Sequence, residues 1–245
     1  MTDRPILFSA PMVRALYEER KTMTRHSIAP QNFKLLGHDF RFHRPDAESL
    51  ASAFKGARDF RWIGGAFSWI ADPGKMHPHA VSVDCRGRPK YAPGDRLWVR
   101  ETCATWGRGP ERAPVEYPVA YAADDPEWEG IKHDAKVSSG DEWKIRPSIH
   151  MPRWASRLTL IVTDVRVEWL QDISEEDAIA EGVECDSDGW RDYLMPQTQC
   201  CAAARDSFRS LWDSINGAGA WDENPWVTVT SFAVHRQNID QMEAA

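Results

Sequence analysis

The sequence predicts a mixed α/β (α+β) chain: a small β-barrel with helices packed outside it and two long insertions. Three observations lead there. The strand-like runs are short. They follow the order strand, helix, insertion, strand, insertion, long strand, two helices, final strand, with no regular βαβ alternation. The two stretches at about 30–90 and 104–150 lack a sustained helical or strand period and read as insertions. The chain has 245 residues, 42% of them apolar, enough to bury a real core, and 1–245 reads as a single domain.

The elements follow in order. "PILFSA" (5–10) is a short apolar run and the first strand. Ser9 suits an N-cap and Pro11 the first helical turn. Met12, Val13, Leu16 and Tyr17 then share one face of a helix that runs to about Arg20. The first insertion carries scattered aromatics, and Gly64-Gly65 reads as a hairpin turn between two short aromatic strands. In "YAPGDRLWVRET" (91–102), Pro93-Gly94-Asp95 is a turn and Leu97-Trp98-Val99 a strand. The second insertion is rich in Pro, Gly and acids.

"RLTLIVTDVRVEWL" (157–170) is the strongest strand. Leu158, Leu160 and Val162 alternate, and the phase slips near Asp164, where Val165 and Val167 take over. A bulge or bend produces that slip. "DISEEDAIAEGV" (172–183) is a short helix capped by Ser174, with Asp177 at the capping-box position and Gly182 at its end. In "AAARDSFRSLWDSING" (202–217), Phe208, Leu211, Trp212 and Ile215 share a helical face and Gly217 stops the helix. "PWVTVTSFAV" (225–234) is a closing strand.

Composition excludes several functions. The net charge of -7 is incompatible with a broad basic coat for nucleic acid, so a polyanion contact has to come from a local patch. The 12 tryptophans serve packing, or stack on a base. Five cysteines without a C-x-x-C pair do not form a secreted disulfide framework. No signal-peptide pattern and no long apolar run is seen, so a cytoplasmic protein with no membrane partner is expected. His77, His79 and Cys85 are scattered and Cys200-Cys201 adjoin, poor spacing for a tetrahedral site, so no metal is expected. Phosphate and dinucleotide motifs are missing, so no cofactor is expected either.

"RKTMTR" (20–25) crowds three cations and two hydroxyls into six positions. A Thr hydroxyl becomes a nucleophile only when a base removes its proton, and a Lys serves as that base once burial or a nearby cation makes it give up its own. The other reading is a helix C-terminus decorated with cations, which the macrodipole favours. On a continuing helix Lys21 neighbours Thr24 and Arg25; on a strand Thr22 and Thr24 face away from Lys21. Glu181 lies at a helix C-terminus, where the dipole opposes a carboxylate, which hints at a pairing with a Lys or an amino group; an ordinary solvated Glu is the alternative. "RPSIHMPRWASR" (146–157) interleaves Arg146, Arg153 and Arg157 with Trp154. That suits either a nucleotide contact or a surface loop.

These residues resemble a known family. "LYEERKTMTRH" is similar to the signature of ASCH domains, in which a short helix leads into G-x-K-T-x-T-x-R. "PGDRLWVRE", "VTDVRVEWLQDISEEDAIAEG" and "FRSLWDSING…NPWVTVTSF" resemble further pieces in the same order, together under half of the chain. The remainder resembles the insertions of larger phage and prophage members. Two departures stand out. Glu19 occupies the place of the usual Gly, and Arg25 follows Thr24 directly. The resemblance implies a PUA-like barrel with a cleft beside the first helix. It also implies an amidohydrolase of N4-acetylcytidine and related acylated cytosines, with Lys21, Thr24 and Glu181 catalytic; Thr22, Arg25, Arg153 and Trp154 are the residues expected beside the substrate. The alternative it implies is a module that binds RNA or a nucleotide without catalysis. The expected partner is thus a small nucleoside or single-stranded RNA.

Overall fold

The computed structural model describes residues 2–27, 33–35, 38–40, 60–63, 66–69, 90–106, 119–137, 143–197 and 200–242. The chain runs β1 (Asp3–Leu7), α1 (Ala10–Tyr17), β2 (Met23–Ser27), β3 (Phe33–Leu35), β4 (His38–Phe40), β5 (Phe60–Ile63), β6 (Ala66–Trp69), β7 (Arg96–Arg100) and β8 (Cys103–Trp106). It continues through β9 (Val119–Tyr121), α2 (Trp128–Val137), β10 (Trp143–Arg146), β11 (Thr159–Trp169), α3 (Glu175–Ala180), β12 (Cys185–Asp186), β13 (Gly189–Arg191), β14 (Cys200–Cys201), α4 (Ala204–Asn216) and β15 (Trp226–His235).

The fold is mixed α/β. Its main sheet has five strands in the order β1-β7-β11-β15-β2. β1 pairs parallel with β7, and the other neighbours are antiparallel. Smaller sheets are β10-β8-β9 and β12-β13-β14. Among the described residues no sheet closes into the barrel that the sequence predicts. No described helix is long and apolar enough to cross a membrane.

The main sheet separates two cores. Along β15, Val227 and Val229 enter one core, while Phe232 and Val234 join the other, as the two-residue strand period requires. One core joins Ile6, Phe8, Val13, Leu16, Leu97 and Leu160; the other joins Met23, Leu170, Ala178, Phe208 and Trp212. Fully burying such a Leu or Phe contributes roughly 1.5–3 kcal/mol each.

β11 shows the expected bulge, with a register shift between Val162 and Asp164. Leu160 and Val162 before it and Val165 and Val167 after it face the same core. The extra residue thereby turns Arg166 and Glu168 to the opposite face, against β2 and α3.

α1 ends earlier than its sequence suggests, at Tyr17 instead of about Arg20, in a Schellman turn. The Arg20 N–H donates to the Ala15 carbonyl (3.0 Å) and the Glu19 N–H to the Leu16 carbonyl (3.1 Å). Glu19 takes the left-handed conformation at φ 60°. α3 is capped as expected, with Ser174 Oγ accepting from the Asp177 N–H at 3.1 Å and Gly182 at φ +87° closing it. In α4, Phe208 and Trp212 are buried, but Ile215, on the same predicted face, is 59% exposed.

The stretch 104–150 is more ordered than its composition suggests, with β8, β9 and β10 in one sheet backed by α2. Strands β5 and β6 pair antiparallel on either side of Gly64-Gly65. That turn, His77, His79 and Cys85 lie outside the described residues.

Candidate functional site

The Schellman turn reverses the chain so that Lys21 enters between α1 and the end of α3. Its N–H donates to the Ala15 carbonyl at 3.0 Å, and Lys21 forms an isolated antiparallel bridge with Glu181. The next residue fastens both sides. The Thr22 N–H donates to the Ala180 carbonyl and its own carbonyl accepts from the Phe232 N–H, each at 2.9 Å. The Thr22 side chain stays exposed.

Lys21 is 1% exposed and Glu181 5%. Lys21 Nζ donates to Glu181 Oε2 at 3.0 Å and to the Glu181 carbonyl at 2.8 Å, and lies 5.7 Å from the centre of the Phe8 ring. A buried ion pair survives desolvation only when its remaining lone pairs are also met. Here they are, because Arg25 Nη1 donates to Glu181 Oε1 at 3.0 Å.

Beyond Lys21 the chain is a strand, Met23–Ser27. Met23 and Arg25 turn toward α3 and α4: Met23 joins the core there and Arg25 meets Asp177. Thr24, buried at 7% exposure and opposite Thr230, turns to the other face, the side of Phe8 and Phe232. Among the described residues no hydrogen bond joins Lys21 Nζ to Thr24.

Arg25 also binds Glu168 Oε1 and Asp177 Oδ2 through Nη2, each at 2.7 Å. Burial works against its charge, but the Glu181, Glu168 and Asp177 carboxylates outweigh it and hold the guanidinium above its ordinary value. Arg166 closes the group, donating to Glu168 Oε2 at 2.9 Å and to Asp177 Oδ2.

Arg153 and Trp154 lie in another setting. Arg153 binds Asp240 and Asp3, with Nη2 2.6 Å from an oxygen of each. Trp154 packs against the cluster of Cys103, Met151 and Ala155. An open groove of about 710 Å³ is lined by Arg20, Glu184, Trp190 and Arg191 among others; Lys21, Thr24 and Glu181 do not line it.

The sequence reading missed Arg166, Glu168 and the second role of Asp177. The phase slip at Asp164 is the signal that places the first two on Arg25's face. Asp177 was legible only as a cap, and its carboxylate turns out to hold Arg25 and Arg166.

No protein-family model matches the chain, and no curated protein or solved structure matches it either.

Proposed function

We propose that the protein is an ASCH-type, PUA-like amidohydrolase that removes the acyl group from N4-acylated cytosine nucleosides. The observation that carries this reading is the buried contact of Lys21 Nζ with Glu181 Oε2 at 3.0 Å, beside a strand that bears Thr24. The resemblance itself has support in Glu19, which holds a left-handed conformation where the family has its Gly.

In the reaction Lys21 passes a proton to Glu181 along their contact and then takes the hydroxyl proton of Thr24. Thr24 Oγ1 bonds to the acyl carbonyl carbon, and the carbonyl electron pair moves to oxygen. When the intermediate collapses, the C–N4 bond breaks. N4 keeps the electron pair and takes the proton from Glu181, leaving cytidine. Water then attacks the acyl-threonine ester and gives a proton to Glu181; the bond from the acyl carbon to Thr24 Oγ1 breaks, Thr24 takes a proton from Lys21, Glu181 passes its proton back to Lys21, and the carboxylic acid leaves. For the first step the Thr24 hydroxyl has to come within hydrogen-bond reach of Lys21 Nζ once substrate is bound.

The test mixes the purified chain with N4-acetylcytidine and follows ultraviolet absorbance. Turnover that disappears in Lys21→Ala and Thr24→Ala supports the hydrolase. Salt-sensitive RNA binding without turnover replaces it with the binding module.

A further inference from the structure

Arg25 is enclosed. Its side chain is 0% exposed, and its two Nη atoms are committed to Glu181, Glu168 and Asp177. Its Nε is buried as well and has no hydrogen-bond partner among the described residues. We propose that Arg25 is a positioning residue that acts through Glu181, an assignment that rests on the hydrolase reading and replaces the substrate contact expected for it.

A carboxylate at the end of a short helix rotates about its side-chain bonds unless something fixes it. Glu181 is fixed at both oxygens. Oε1 accepts from Arg25 and Oε2 from Lys21, each at 3.0 Å. Arg25 is fixed in turn on its far side. Nη2 meets Glu168 and Asp177, and Arg166 ties those two carboxylates together. Cations and carboxylates thus alternate from Lys21 to Arg166, three of each, and the group carries no net charge. That balance lets Lys21, Arg25 and Glu181 stay buried without an uncompensated ion, while Glu168, Asp177 and Arg166 reach the surface.

The chemistry needs an arginine. One planar group presents Nη1 to Glu181 and Nη2 to the outer acids at the same time; an ammonium is a single point on a flexible stem and cannot span them. The β11 bulge supplies Glu168 and Arg166, and the Ser174 cap seats Asp177 in the first turn of α3.

The test uses the full chain carrying Arg25→Lys and, separately, Asp177→Asn. With N4-acetylcytidine, Arg25→Lys is expected to lose kcat by about 100-fold at unchanged KM, and Asp177→Asn to show a smaller loss of the same kind. A raised KM at unchanged kcat makes Arg25 a substrate ligand and overturns the assignment, as does unaltered turnover. A crystal structure of each variant reads the geometry without any activity. In Arg25→Lys, Glu181 Oε2 is expected beyond hydrogen-bond reach of Lys21 Nζ; a retained contact overturns the assignment. A wild-type chain that turns nothing over sinks the hydrolase alone, and the positioning role is then decided by that contact. If Arg25→Lys does not fold, Asp177→Asn supplies both readouts.

Discussion

Gly182 stands directly against Lys21. A Cβ built on Gly182 falls 2.9 Å from the Lys21 Cβ and 3.0 Å from the Ala15 Cβ. The close approach brings the Glu181 carbonyl within reach of Lys21 Nζ, so one glycine sets the spacing of the whole pair.

Gly182→Ala is therefore expected to lower stability by roughly 3 kcal/mol, from left-handed strain and overpacking together. Gly94→Ala is the control, because Gly94 has a matching positive φ of +85° with open space around it. Urea midpoints compare the two. Equal losses would show that the contact with Lys21 contributes nothing.

Glu19→Gly is expected to stabilise the protein by about 0.5–1 kcal/mol, the left-handed strain relieved less the added freedom of the unfolded chain. The only contact recorded for its carboxylate among the described residues, Arg236 at 3.5 Å, is exposed. A lower urea midpoint in this variant would refute the strain at the turn.

Asp3 sets a pH dependence. Its hydrogen bond to Arg96 holds the carboxyl below its ordinary value; burial opposes this, and Arg153 adds to the lowering. The unfolded chain then takes up the proton more readily than the folded one. The contribution is complete above the ordinary carboxylate range and is lost as pH falls through the depressed folded value. Denaturation measured across acid pH should show a steeper fall for the wild type than for Asp3→Asn. Parallel profiles would remove Asp3 from the account.

Thiol reactivity should separate the cysteines. Burial pushes the Cys103 thiol up to about 11, and its side chain is inaccessible. Cys185 and Cys200 are exposed. Brief iodoacetamide treatment at mild alkaline pH, mapped by mass spectrometry, should modify Cys185 and Cys200 and spare Cys103 until denaturant is added. Rapid labelling of Cys103 would contradict the packing around Met151 and Ala155.

Local grammar was legible and non-local pairing was not. The phase slip at Asp164 correctly marked the bulge, and Ser174 with Gly182 marked both ends of α3, because each signal lies within a few residues of what it determines. Strands β8 to β10 were read as an irregular insertion, since three or four residues hold too few periods to register. Lys21 and Glu181 were each singled out, but their contact depends on a turn after α1 meeting the end of α3. Arg25 looked like a substrate ligand because its neighbours in sequence are Thr24 and Lys21. Its actual partners arrive from β11 and α3. Strand order depends on the same long-range register, and among the described residues it closes no barrel.

Among the described residues β2 pairs with β15 alone, so Thr24 and Thr230 come together from distant parts of the chain. During synthesis, Lys21 leaves the ribosome long before the strand that anchors it exists. The nascent chain holds Lys21 and Arg25 with none of their carboxylate partners until Glu168, Asp177 and Glu181 have been translated. Any chemistry at this place is consequently withheld from the nascent chain until β15, which pairs with β2, has been made.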